Sequence, residues 1–222
     1  MGIPVLVLGK SGSGKTASLR NFAPDDIGIF NVASKPLPFK KKMNKYDKAD
    51  YRLIISKLEE NKLNTYVIDD SQYLMAFELF NRAKEAGYGK FTDIAVAFEG
   101  LIDYIINYTS KDTIVFFLHH SEVDDAGNTK AKTSGKMLDN QLTIEGLFSI
   151  VLMADTENGH YKFITQSDGY TTCKSPMDMF DLKIDNDLKF VDDTIRNYWG
   201  LAPRGKKKEA IKTNNKKEGE KK

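Results

Sequence analysis

The chain has 222 residues, 41% hydrophobic and 29% charged, with a net charge of +2. That balance is globular and excludes collagen-like, coiled-coil and wholly disordered classes. No apolar run approaches the roughly 18 residues of a membrane span, and the opening MGIPVLVLGK lacks a basic leader or cleavage site, so neither a spanning nor a secreted protein is expected.

In chain order, residues 3–8 (IPVLVL) form a continuous apolar, β-branched run, as in a strand buried on both faces of a parallel sheet. GKSGSGKT follows at once. Residues 16–22 then read as a helix stopped by Pro24, and residues 27–32 as a second strand. Residues 35–48, with two prolines and a lysine cluster, read as a surface excursion. A helix over 51–61, a strand over 65–69 (TYVID), and helices over 72–86 and 92–108 come next, followed by a fourth buried strand over 113–118 (TIVFFL) that runs into His119, His120 and Ser121. Residues 124–140 read as a long polar loop, 141–148 as a helix, and 150–154 and 160–165 as strands, the last entered through a hairpin at Asn158-Gly159. The pattern gives an α/β fold with a mostly parallel central sheet flanked by helices and a C-terminal β-hairpin, over residues 1–200. Residues 204–222 hold nine Lys or Arg against three Glu, so this stretch carries +6 and the rest of the chain −4. A disordered basic tail over 201–222 is expected, with an electrostatic attraction for nucleic acid.

Gly9, Lys10, Ser11, Gly12, Ser13, Gly14, Lys15 and Thr16 match G-x-x-x-x-G-K-[ST] between a strand and a helix, the context a phosphate-binding loop requires. Its glycines let successive amide groups point at phosphate oxygens, and the following helix is expected to add its positive end. Lys15 is placed on the β- and γ-phosphates of ATP, and Thr16 on Mg²⁺. A second Mg²⁺ anchor belongs at the end of a neighbouring apolar strand, where Asp69 stands; Asp70 beside it is a candidate to orient or deprotonate the attacking water.

His119, His120 and Ser121 end a buried strand, where ligands meet open parallel sheets. His119 is the chosen γ-phosphate sensor, with His120 as the alternative, since adjacent strand residues point to opposite faces. Transfer of a phosphoryl group also calls for a cation against its developing charge. With five arginines scattered along the chain, Lys174 and Lys136 are the candidates, either acting from a neighbouring subunit. The single cysteine, Cys173, fits a reducing cytoplasm and makes no disulfide or metal cluster.

With the phosphate loop, the IDD and HHS strand ends, and the segments KPLPF, KTSGKML and CKSPMDMF in this order, the chain resembles the RecA-like P-loop (AAA-type) ATPases of bacteriophages, within them the group related to single-strand-annealing recombination. The resemblance covers residues 3–180. It implies a Mg²⁺-dependent ATPase that assembles as a homo-oligomeric ring or filament, acts on single-stranded DNA in recombination or replication, and meets other phage proteins of that machinery. It also implies that the polar loop faces DNA, with Lys130, Lys132 and Lys136 on its phosphates. The family's catalytic Glu after the second strand is replaced by Asn31-Val32-Ala33-Ser34. A nucleotide-gated switch or loader with little turnover is the alternative this departure favours. A nucleoside or nucleotide kinase is the other, although the chain offers no arginine-rich lid.

Overall fold

The computed structural model describes residues 1–135 and 143–205. Its strands are β1 (Ile3–Gly9), β2 (Gly28–Asn31), β3 (Lys45–Asp47), β4 (Thr65–Asp69), β5 (Ile114–Val123), β6 (Thr129–Ala131), β7 (Ile150–Glu157), β8 (His160–Ile164) and β9 (Lys183–Asp185). The helices are α1 (Tyr51–Glu59), α2 (Gln72–Asn81), α3 (Gly89–Tyr108) and α4 (Leu188–Trp199), with 3-10 helices at Thr16–Asn21 and Ile144–Leu147. The sheet order is β3-β2-β4-β5-β1-β7-β8-β9, with β6 attached to the far end of β5. Strands β3, β2, β4, β5, β1 and β7 are parallel, and β8 and β9 complete the edge antiparallel.

The two faces of the sheet explain the unbroken apolar strands. Leu6, Leu8, Phe30, Ile68, Val115 and Phe117 pack under α1, α2 and α3. Their neighbours Val5, Val7, Ile29, Val67, Phe116 and Leu118 pack under the first 3-10 helix and α4. Both side-chain sets of each central strand are therefore buried, so hydrophobicity does not alternate along it.

Several expectations need correction. The segment after the phosphate loop is a six-residue 3-10 helix, Thr16–Asn21, and Pro24 stops the chain from extending it by a further turn. It brings little macrodipole to the loop. The excursion over 35–48 is tied down: Leu37 and Phe39 pack on the core, Met43 is buried, and Lys45–Asp47 joins the sheet edge beside β2. α2 stops at Asn81, and Arg82 collects Glu78, Glu85 and Asp93. The fourth strand continues through His119, His120 and Ser121 to Val123, where a turn built on Asp124 and Asn128 starts the antiparallel β6. Half of the expected polar loop is thus a hairpin, and 136–142, with Lys136, lie outside the described residues. Ile144–Leu147 replaces the expected helix, held by the Glu145 carboxylate accepting from the Ala131 amide (2.7 Å).

β9 and α4 were not anticipated from the sequence. The Asp187 side chain caps the start of α4, accepting from Lys189 and Phe190 amides, and Gly200 closes it at φ +62. Residues 201–205, expected to belong to the tail, dock instead: Arg204 reaches Asp192, Asp193 and Asp26, and the Gly205 amide donates to Asn64 Oδ1 (3.0 Å). Residues 206–222 lie outside the described residues. No described helix is long and apolar enough to cross a membrane.

Candidate phosphate-binding site

The turns that follow β1, β2 and β4, and the outer part of β5, meet at the C-terminal edge of the parallel strands. They enclose a cavity of about 500 Å³ lined by Ser11, Gly12, Gly14, Lys15, Thr16, Ala17, Lys35, Pro36, Pro38, Asp69, Asp70, His120 and Tyr161. The loop needs its glycines for two separate reasons. At Gly14, φ is +88 and an added Cβ would stand 2.7 Å from the Tyr161 ring, which packs on the loop from β8; at Gly9, a Cβ would stand 2.4 Å from Ser13 Oγ.

Lys15 is buried, and its Nζ donates to the carbonyls of Gly9 (2.7 Å) and Lys10 (2.9 Å). Burial pulls its pKa down to about 8 against the pull of Asp70 and Asp69. The Thr16 hydroxyl donates to Asp69 Oδ1 (2.8 Å). Asp69, the last residue of β4, points to the phosphate-loop face of the sheet, as Val67 does, and burial raises its pKa to about 6.

Asp70 leaves the strand in the left-handed region, φ +62, which Asp tolerates. Its Oδ2 accepts from Lys35 Nζ at 2.7 Å, and His120 Nε2 lies 3.3 Å from its Oδ1 outside hydrogen-bond geometry. Burial pushes the Asp70 carboxyl up, but His120 and Lys35 outweigh it and hold its pKa below the ordinary carboxylate range. Lys35 is held in turn by the buried Asn31 carboxamide, which donates to the Lys35 carbonyl (2.8 Å) and accepts from its amide (3.2 Å).

The two histidines part as strand alternation requires. His119 is fully buried on the α3 side, against Phe98, with a pKa lowered to about 4 by burial, so it is a neutral structural residue. Its Nε2 donates to the Lys132 carbonyl (2.8 Å), which leaves Nδ1 to accept from the Ser71 hydroxyl (2.9 Å). Of the two histidines, His120 and not the chosen His119 lines the cavity.

Lys174 is elsewhere. It pairs through its backbone with Val151 and borders a separate cavity with Lys130, Glu145 and Thr172. Lys130 Nζ lies 3.6 Å from Glu122, and Lys132 is exposed just past β6. Lys35 and Tyr161 line the cavity without having been expected there, and His120 was the alternative to His119. Position at a strand end was the available signal for Lys35, but lysines and prolines masked it as loop.

The donor set at Thr16 and Asp69 suits Mg²⁺: two hard oxygens, one of them a carboxylate that burial keeps short of a cation. Among the described residues no group of three or more His, Cys, Asp or Glu could hold a metal. Neither the known protein-family models nor the curated proteins give a match to this chain.

Proposed function

We propose that the chain is a Mg²⁺-dependent, RecA-like ATP-binding and hydrolysing protein that works as a homo-oligomer on single-stranded DNA, in phage recombination or replication. The observation that carries the ATP reading is the 2.8 Å contact between Thr16 and Asp69 on the floor of a cavity bordered by Lys15 and the phosphate loop. Thr16 and Asp69 would hold Mg²⁺, directly or through water, and the bound ion would neutralise charge on the terminal phosphates. Lys15 exchanges its two carbonyl partners for phosphate oxygens, and Asp70 is the carboxylate within the cavity that can take a proton from water. The DNA part rests on the resemblance to phage ATPases, on exposed Lys132 and on the basic tail.

A nucleotide-gated switch is the second reading. It is favoured by Asp70, whose Oδ2 is held by Lys35 and whose Oδ1 faces His120. ATP hydrolysis measured with and without single-stranded DNA, alongside oligomeric state, separates the two. DNA-stimulated turnover with assembly supports the motor, whereas tight binding with negligible turnover supports the switch. Phosphate transfer to a nucleoside would replace both with a kinase. Lys15→Ala is expected to weaken ATP binding at least tenfold, since hydrogen bonds to charged groups are lost; unchanged affinity in a filter-binding assay would remove the site assignment.

A further inference from the structure

Among the described residues no arginine lines the cavity, and the lysines that do are Lys15 and Lys35. Lys15, deep in the loop, serves the inner end. Lys35 lines the same cavity from the turn that follows β2, on a backbone clamped by Asn31 and followed by Pro36 and Pro38, which restrict the chain beside it. Its side chain is 57% exposed, lies 5.1 Å from the Tyr73 ring centre and reaches Asp70 at 2.7 Å. A fixed root with an exposed, charged tip suits a group that must change partners. Only the lysine end of this pair is exposed, Asp70 being largely buried, and a terminal phosphoryl group carries more negative charge than one carboxylate, so it competes with Asp70 for the ammonium when a triphosphate arrives.

We propose that Lys35 is this chain's own cation for the terminal phosphate of a bound nucleoside triphosphate, and that its departure from Asp70 frees that carboxylate for the attacking water. This rests on the ATP reading above and replaces the distant Lys174 with a residue of the same subunit. In the step, the water oxygen bonds to the terminal phosphorus while the bond from that phosphorus to the β–γ bridging oxygen breaks. The electron pair of the broken bond leaves on ADP, and the water proton passes to Asp70 and then to solvent. Lys35 stabilises the charge on the transferring group throughout. Without a terminal phosphate Lys35 stays on Asp70, so the same contact keeps the water-activating group closed when ADP is bound.

The test compares wild type, Lys35→Ala, Lys35→Gln and Lys35→Arg for Mg·ATP and Mg·ADP affinity by calorimetry, and for turnover. Loss of one charged hydrogen bond predicts that Lys35→Ala and Lys35→Gln weaken ATP binding about tenfold or more and lower turnover about 10- to 100-fold. ADP affinity is expected to be unchanged and Lys35→Arg to recover most of the ATP preference. Wild-type ATP preference and turnover in both neutral variants would overturn the proposal. So would recovery of turnover on mixing Lys35→Ala with Lys15→Ala subunits, because the cation would then come from a neighbour. If wild type binds no ATP, or binds it equally well as Lys15→Ala, the nucleotide reading itself falls and Lys35 with it.

Discussion

Asp69 and Asp70 are adjacent carboxylates driven in opposite directions. Asp69 is buried against one hydroxyl and its pKa rises to about 6, whereas Asp70 is drawn down by His120 and Lys35. For Asp69 the folded pKa lies above the unfolded one, so the folded state binds the extra proton between about pH 4 and 6. Stability is lost as pH rises through that window, and above it the buried charge costs roughly 2–3 kcal/mol. Asp69→Asn is therefore expected to raise the melting temperature at pH 8, with the gain vanishing near pH 4, while abolishing Mg²⁺-dependent turnover. A variant no more stable than wild type at pH 8 would show that Asp69 is not strained by burial. Lys15, Thr16 and Asp69 were legible in the sequence because each sits at a fixed step from a strand end. Choosing between His119 and His120 required knowing which face of β5 turns to the cavity, and that the strand continues five residues past its apolar run, to Val123, which polarity concealed. Lys35 required knowing that Asn31 turns the chain back towards β4.

α4 shows how an element can hide. Its amphipathic pattern is short, Leu188, Val191 and Ile195, and its cap residues Asp187 and Gly200 were the readable marks. What fixes it is a polar cluster that no periodicity reveals. Arg196 Nε donates to Asp192 Oδ2 (2.8 Å), and its other nitrogens donate to the carbonyls of Asp112, Ala202 and Asn64 and to Thr65 Oγ1; Arg204 shares Asp192 at 2.6 Å. This cluster ties the helix to the start of β4. Removing one member strands buried donors and charge, so Arg196→Met is expected to cost about 3–5 kcal/mol in urea denaturation. A loss below about 1 kcal/mol would mean that the cluster is solvated, as a surface pair is. β3 was illegible for a different reason. A three-residue edge strand is too short for any alternation to register, and only its register against β2 defines it.

The α/β architecture with a mostly parallel sheet could be read from buried strands alternating with helical stretches, but the order of strands could not, since it depends on contacts between distant segments. The C-terminal limit was also displaced by composition: Arg204 and Gly205 look like tail, yet they close the α4 cluster. Cutting the chain after Gly205 is therefore expected to leave the unfolding midpoint unchanged, whereas cutting after Gly200 should lose about 2 kcal/mol or more with the charged bonds of Arg204. Equal midpoints would show that residues 201–205 add nothing. The shorter cut also removes eight lysines against three glutamates. Binding of single-stranded DNA should then weaken, with a shallower dependence on salt concentration.

Gly205 bonds to Asn64, just before β4 begins, while Asp69 ends that strand and Lys132 lies beside His120 near the far end of β5. Gly205 therefore lies at the pole of the strands opposite the cavity and the exposed Lys132 at the cavity pole, so the docked end of the described chain and the lysine beside the hairpin stand a full strand length apart.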